Sequence, residues 1–168
     1  AFSRISGTVS WEVVVVDNAS TDDTAAVLAA ADDLGGRLSV VSCPRVGAAA
    51  GRNAGWRASR GRLVSFIDDD CYVAPDYVDA VAAAFDRHPD AGCIGGRILL
   101  HDPLDARVTI DERTEPFRHA PYGFLPAGSL HGANLTFRRE VLEAIGGIDP
   151  MLGAGTPAVS GEDTDAVA

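Results

Sequence analysis

The hydrophobic pattern alternates between two periods along the first hundred residues. Residues 12–17 (EVVVVD) form a short β-branched run that ends in a carboxylate, the pattern of a buried strand. A polar turn follows, and Ser20 or Thr21 is placed to cap an Ala-rich helix over residues 22–34, with Asp22 and Asp23 suited to its first turn. Gly35 and Gly36 stop that helix, and residues 37–43 (RLSVVSC) read as a second strand closed by Pro44. Residues 47–60 are small, Ala-rich and helical in period. Residues 62–67 (RLVSFI) are a third strand that runs into Asp68, Asp69 and Asp70. Pro75 opens a helix over 75–87, and residues 91–100 predict a further strand.

Four strands and three helices therefore alternate, which predicts an α/β domain with a mostly parallel, Rossmann-like sheet flanked by helices. From residue 101 to 127 the periodicity breaks down into a long loop or extended hairpin. A strand over 129–137 and an amphipathic helix over 138–145 come next, followed by a Gly/Pro-rich stretch over 149–160 that reads as mobile. No internal repeat is present.

Composition narrows the function more than the fold. The 168 residues carry 14 Arg and no Lys against 24 acids, a formal charge of −10, and 46% of the chain is hydrophobic. That apolar content supports one packed domain. The acid excess excludes a general nucleic-acid or anionic-lipid binder. Without Lys there is no P-loop lysine and no Schiff base, so every fixed cation is Arg or a bound metal. Cys43, Cys71 and Cys93 are odd in number and lack CxxC spacing, as in reduced thiols of a cytosolic protein. No apolar run is long enough to span a bilayer. A cytoplasmic location is expected, with attachment at the inner face of a membrane left open.

Candidate chemistry lies where open α/β sheets place ligands, at the carboxyl ends of strands. Asp17 and Asn18 follow the first strand, and Asp17 alone reads equally as a turn residue. Three consecutive acids after the third strand repel one another and call for a cation. In an extended turn Asp68 and Asp70 project to one side, a geometry for a divalent ion whose other ligands are water and phosphate. Glu162, Asp163 and Asp165 form a second acid cluster, which read alone is an acidic helix start and which also offers a general base. Arg52, among small residues, suits phosphate. Gly132, Ala133 and Asn134 carry little signal alone. The four His lack metal-ligand spacing, and Trp11 and Trp56 read as packing residues.

In order, these pieces resemble glycosyltransferase family 2, of the GT-A fold. The matching residues are Val13-Val-Val-Val-Asp-Asn-Ala-Ser-Thr-Asp22, Gly51-Arg-Asn-Ala-Gly55, Ser65-Phe-Ile-Asp-Asp-Asp70 and Pro75, then Gly132-Ala-Asn134, Arg138-Arg139, Gly146-Gly-Ile-Asp149 and Gly161-Glu-Asp-Thr-Asp165. The resemblance implies an inverting transferase that moves a sugar from a nucleotide-diphosphate sugar to a carbohydrate, lipid or small-molecule hydroxyl, with Mg or Mn as cofactor. Asp17 and Asn18 would contact the nucleoside and Arg52 would lie near the donor. Asp70 would touch the metal at the diphosphate, with Asp68 a second metal residue, and Asp68 or Asp69 would face ribose or sugar. Gly132, Ala133 and Asn134 would line the donor sugar, and Asp163 would be the base, with Glu162 beside it. It also implies that residues 1–168 form one partial GT-A domain, in which residues 1–10 are the tail of a helix and closing helices are missing. A non-catalytic nucleotide-binding domain and a sugar-nucleotidyltransferase remain the alternatives.

Overall fold

A computed structural model describes every residue except Ala1, Asp32, Asp33, Pro121, Tyr122, Phe124 and Ala127. The expected helix over 22–34 and the expected loop over 101–127 therefore fall partly outside the described residues. Five strands and five helices follow in the order β1 (Val13–Asp17), α1 (Thr24–Ala29), β2 (Leu38–Ser42), α2 (Ala48–Ala58), β3 (Leu63–Phe66), α3 (Tyr77–Arg87), β4 (Cys93–Gly95), β5 (Leu135–Arg138), α4 (Arg139–Ile145) and α5 (Glu162–Val167). Phe2–Arg4 is a single 3-10 turn rather than the expected helix tail.

β1 and β2 pair in parallel, with Val13 opposite Leu38 and Asp17 opposite Ser42. β5 lies between β3 and β4 and runs antiparallel to both. Hence β3 and β4 point the same way, and Phe66 at the end of β3 faces Leu135 at the start of β5. This reversal positions the site: it carries the turn before β5 to the same edge as the acids after β3.

Several elements are shorter than the pattern predicts. The strand expected over 129–137 begins only at Leu135, because Gly132–Asn134 coil into a 3-10 turn. The strand expected over 91–100 stops at Gly95. The Gly96 amide still donates to the Asn134 carbonyl (3.1 Å), one step further along the register, and beyond it Ile98 forms an isolated bridge with Asp111. At α1 the cap comes from neither Ser20 nor Thr21. Asp23 is the N-cap residue, and the carboxylate of Asp22 accepts the amide (3.1 Å) and hydroxyl (2.6 Å) of Thr24. The Val run of β1 is half-buried rather than buried, since among the described residues β1 pairs with β2 alone.

The core sits between β3, β5 and the helices packed on them. Leu135, Phe137 and Leu142 are fully buried, and Phe66 meets Phe137 edge to face at 6.1 Å. Asn53 on α2 is a buried polar hub for this core. Its Nδ2 donates to the Ile148 carbonyl (2.6 Å), and its Oδ1 accepts the Trp56 indole N–H (2.9 Å) and the Ile148 amide (3.0 Å). Gly147 has φ +94°, and a Cβ there would collide with Asn53 Oδ1, so the left-handed turn and the hub require each other. Asn53→Ala leaves two buried donors and an acceptor unpaired, an expected loss of about 2–4 kcal/mol. Thermal unfolding should then begin several degrees lower, and an unchanged midpoint would contradict the hub.

Arg138 and Arg139 act at the opposite end of the sheet from the acids. Arg138 donates to the carbonyls of Ala91 (2.9 Å) and Pro89 (3.1 Å), and Arg139 to those of Gly61 (2.8 Å) and Ser59 (2.8 Å). They staple loops to β5 and α4 rather than meeting the site.

Candidate functional site

Four separate elements converge at the carboxyl end of β3. Arg52 comes from α2, Asp68 from the turn after β3, Gly132 from the turn before β5, and Glu162 and Asp163 from the first turn of α5. The Arg52 guanidinium forks between two carboxylates: Nη1 meets Glu162 Oε1 at 2.7 Å and Nη2 meets Asp68 Oδ1 at 3.1 Å. The Gly132 amide donates to Asp163 Oδ2 (3.1 Å), and the Thr164 amide donates to Asp163 Oδ1 (2.8 Å). Each oxygen of Asp163 thus has one backbone donor and retains a lone pair. Arg52, Gly132 and Asp163, with Phe66, Leu135 and Phe137, line a small cavity of about 10 Å³, room for a water at most. Apolar walls around a carboxylate and a guanidinium strengthen every electrostatic contact made there.

The turn before β5 is itself held firmly. Ala133 is buried. The Asn134 side chain donates to the Arg97 carbonyl (2.9 Å) and accepts the Tyr77 hydroxyl (3.1 Å). Tyr77 is a supporting residue that no spacing in the sequence singles out, because it opens α3, 57 residues away from Asn134.

Asp17 and Asn18 stand at the end of β1, and their side chains differ in what they leave available. Asp17 Oδ1 accepts the Ser20 amide (3.1 Å), an ordinary turn bond that leaves Oδ2 unengaged among the described residues. Asn18 is committed to the backbone: Nδ2 donates to the carbonyls of Cys43 (3.2 Å) and Arg45 (2.6 Å), and Oδ1 accepts the Gly47 amide (3.0 Å). It shapes the loop that leads into α2 and so sets where Arg52 begins. Neither residue contacts the acid triplet through a hydrogen bond or ion pair among the described residues.

The triplet is exposed. Asp68 faces Arg52 and Asp69 makes no polar contact among the described residues, while Asp70 accepts the Cys71 thiol at 3.5 Å. Burial, that hydrogen bond and the charges of Asp70 and Asp68 push the Cys71 thiol up to about 11, so it stays a protonated donor rather than a thiolate. Among the described residues no three His, Cys, Asp or Glu side chains cluster tightly enough to enclose a metal. A magnesium-type site does not need such a cage, since one or two carboxylates with water and phosphate suffice. The exposed carboxylates of Asp68 and Asp70 at a strand end fit that donor set.

Comparison with known proteins agrees with this architecture. The family described as glycosyl transferase family 2 matches residues 8–146. The succinoglycan biosynthesis protein ExoO of Rhizobium meliloti is 36% identical over 136 residues, covering 79% of this chain and 36% of that protein. Among solved structures, S. aureus TarS 1-349 in complex with UDP superposes over 99% of this chain and 48% of its own, with a TM-score of 0.73 at 19% identity. The mannosyltransferase PcManGT of Pyrobaculum calidifontis, in complex with GDP-Man and Mn2+, superposes over 86% of this chain and 40% of its own, with a TM-score of 0.52 at 27% identity. The chain therefore has the GT-A fold and spans less than half the length of these relatives. Among the described residues no helix is long and apolar enough to cross a membrane.

Proposed function

The chain belongs to glycosyl transferase family 2, and on that premise we propose that it carries the reaction centre of an inverting, metal-dependent transfer of a sugar from a nucleoside diphosphate to a hydroxyl acceptor. The observation that carries this reading is Asp163: a carboxylate fixed by the Gly132 and Thr164 amides, next in sequence to Glu162, which Arg52 ties to Asp68 after β3.

Asp163 accepts the proton of the acceptor hydroxyl. The acceptor oxygen forms its bond to the anomeric carbon from one face as the bond to the diphosphate breaks on the other, so configuration inverts. Negative charge grows on the departing diphosphate, and Arg52 faces it with a planar fork suited to phosphate. Asp68 and Asp70 would hold a divalent ion, which when bound supplies further stabilisation of the diphosphate charge. Asp69 and the free oxygen of Asp17 face ribose and nucleoside. Asn18 contributes by shaping the 45–47 loop, and Gly132, Ala133 and Asn134 border the sugar. The manganese and GDP-Man bound to a structural neighbour at 27% identity support the metal and the donor class.

A thermal-shift panel of UDP-, GDP- and dTDP-sugars, each with Mn2+, Mg2+ or chelator, tests the reading. One base class should raise the midpoint by about 5–10 °C at a hundredfold excess over Kd, and only with the metal present. No shift with any donor, or equal shifts in chelator, would contradict it.

A further inference from the structure

Arg52 lies between the two acidic elements of the site, and its two arms differ. The arm on Glu162 is short, at 2.7 Å, and both side chains are largely buried, at 16% and 12% exposed. The arm on Asp68 is longer, at 3.1 Å, and Asp68 is 47% exposed. A diphosphate arriving at the strand end competes with the exposed arm and leaves the buried one in place.

Gly132 joins this arrangement to Asp163. A Cβ on Gly132 would fall 2.7 Å from Arg52 Nη2, so the missing side chain makes room for the guanidinium. The amide of the same residue holds Asp163 Oδ2. Glu162 and Asp163 are consecutive, and the α5 helix they open has no side-chain cap at Gly161. The polar anchors at its first turn are therefore Arg52 on Glu162 and Gly132 on Asp163, while Ala166 and Val167 rest on the core.

We propose that Arg52 is a positioning residue, which fixes Asp163 through the adjacent Glu162, with Gly132 leaving room for the guanidinium, and exchanges only its exposed arm, the one on Asp68, for the donor diphosphate. This rests on Asp163 being the base and extends it: the same cation that meets the donor also aims the group that deprotonates the acceptor. Arginine is needed because its planar fork spans two carboxylates at once, which the point charge of lysine does not.

The test compares Arg52→Lys, Glu162→Gln and the double variant with the native chain, each first shown to be folded by its thermal midpoint. Each single change should lower kcat by about ten- to a hundredfold, the scale expected from misplacing a reacting group, with the donor KM within about threefold. The double variant should be no worse than the more damaging single one, because both remove one contact. Independently of activity, amide exchange at Gly132 and through Glu162–Val167 should accelerate in all three. A raised KM with kcat unchanged in Arg52→Lys, multiplicative losses in the double variant, or native exchange at Gly132 and α5 would overturn the proposal. If exchange accelerates while the native chain transfers no sugar with any donor, the coupling stands and the transferase reading fails.

Discussion

Replacing Asp163 with Asn is expected to lower sugar transfer by about a thousandfold while nucleotide binding stays within about twofold of native. Asp163 is held beside Gly132, and each of its oxygens has one backbone donor and one open lone pair. Asn has the same shape but no basic oxygen to take a proton. Its one carbonyl oxygen replaces two carboxylate oxygens and the amide nitrogen cannot accept, so the Gly132 or the Thr164 amide loses its partner and a small drop in thermal midpoint should accompany the loss of rate. A fall in rate matched by an equal fall in nucleotide affinity would point instead to a collapsed site.

The second large effect is expected at the acid triplet. Asp70→Ala should abolish most of the metal-dependent stabilisation by nucleotide, a loss of about 2–3 kcal/mol when donor is at a hundredfold excess over Kd. Asp70 is exposed, and among the described residues its side chain has one polar contact, with the neighbouring thiol of Cys71, so its removal costs the fold little. Asp69→Ala is the contrast, because Asp69 is placed on ribose rather than on the metal: it should weaken nucleotide binding while the binding that remains still needs Mn2+. Calorimetric titration of nucleotide in Mn2+ and in chelator separates the two. Equal binding by native chain and Asp70→Ala in Mn2+ would remove Asp70 from the metal site.

The alternating strands and helices of residues 12–95 were legible because β1 and β2 are compact Val-rich runs and because Gly61 and Pro89 follow closely on α2 and α3. The carboxylate-bearing strand ends were legible for the same reason, since a buried run that stops in acid fixes where those acids emerge. The direction of β5 was not. Strand direction depends on which neighbour a segment pairs with, and residues 101–134 carry no period that reports it. Gly132, Ala133 and Asn134 therefore gave a weak signal in sequence, although the antiparallel register of β5 puts them beside Asp68. The ion pair of Arg52 with Glu162 spans 110 residues, and no local spacing encodes it. Asn18 shows a role that the sequence does not encode: its amide is bonded to three backbone groups and shapes the loop that leads into α2. Asn53 lay in a motif that drew attention to Arg52, yet packing and buried hydrogen bonds made it the structural hub.

Inversion requires displacement at the anomeric carbon with Asp163 as the base. The direct measurement is proton NMR of the anomeric signal during turnover of the donor picked out by the thermal-shift panel, run beside Asp163→Asn. An α-linked donor should give a β-linked product with the native chain and no product on the same timescale with the variant. An α-linked product, or native turnover by Asp163→Asn, would contradict it.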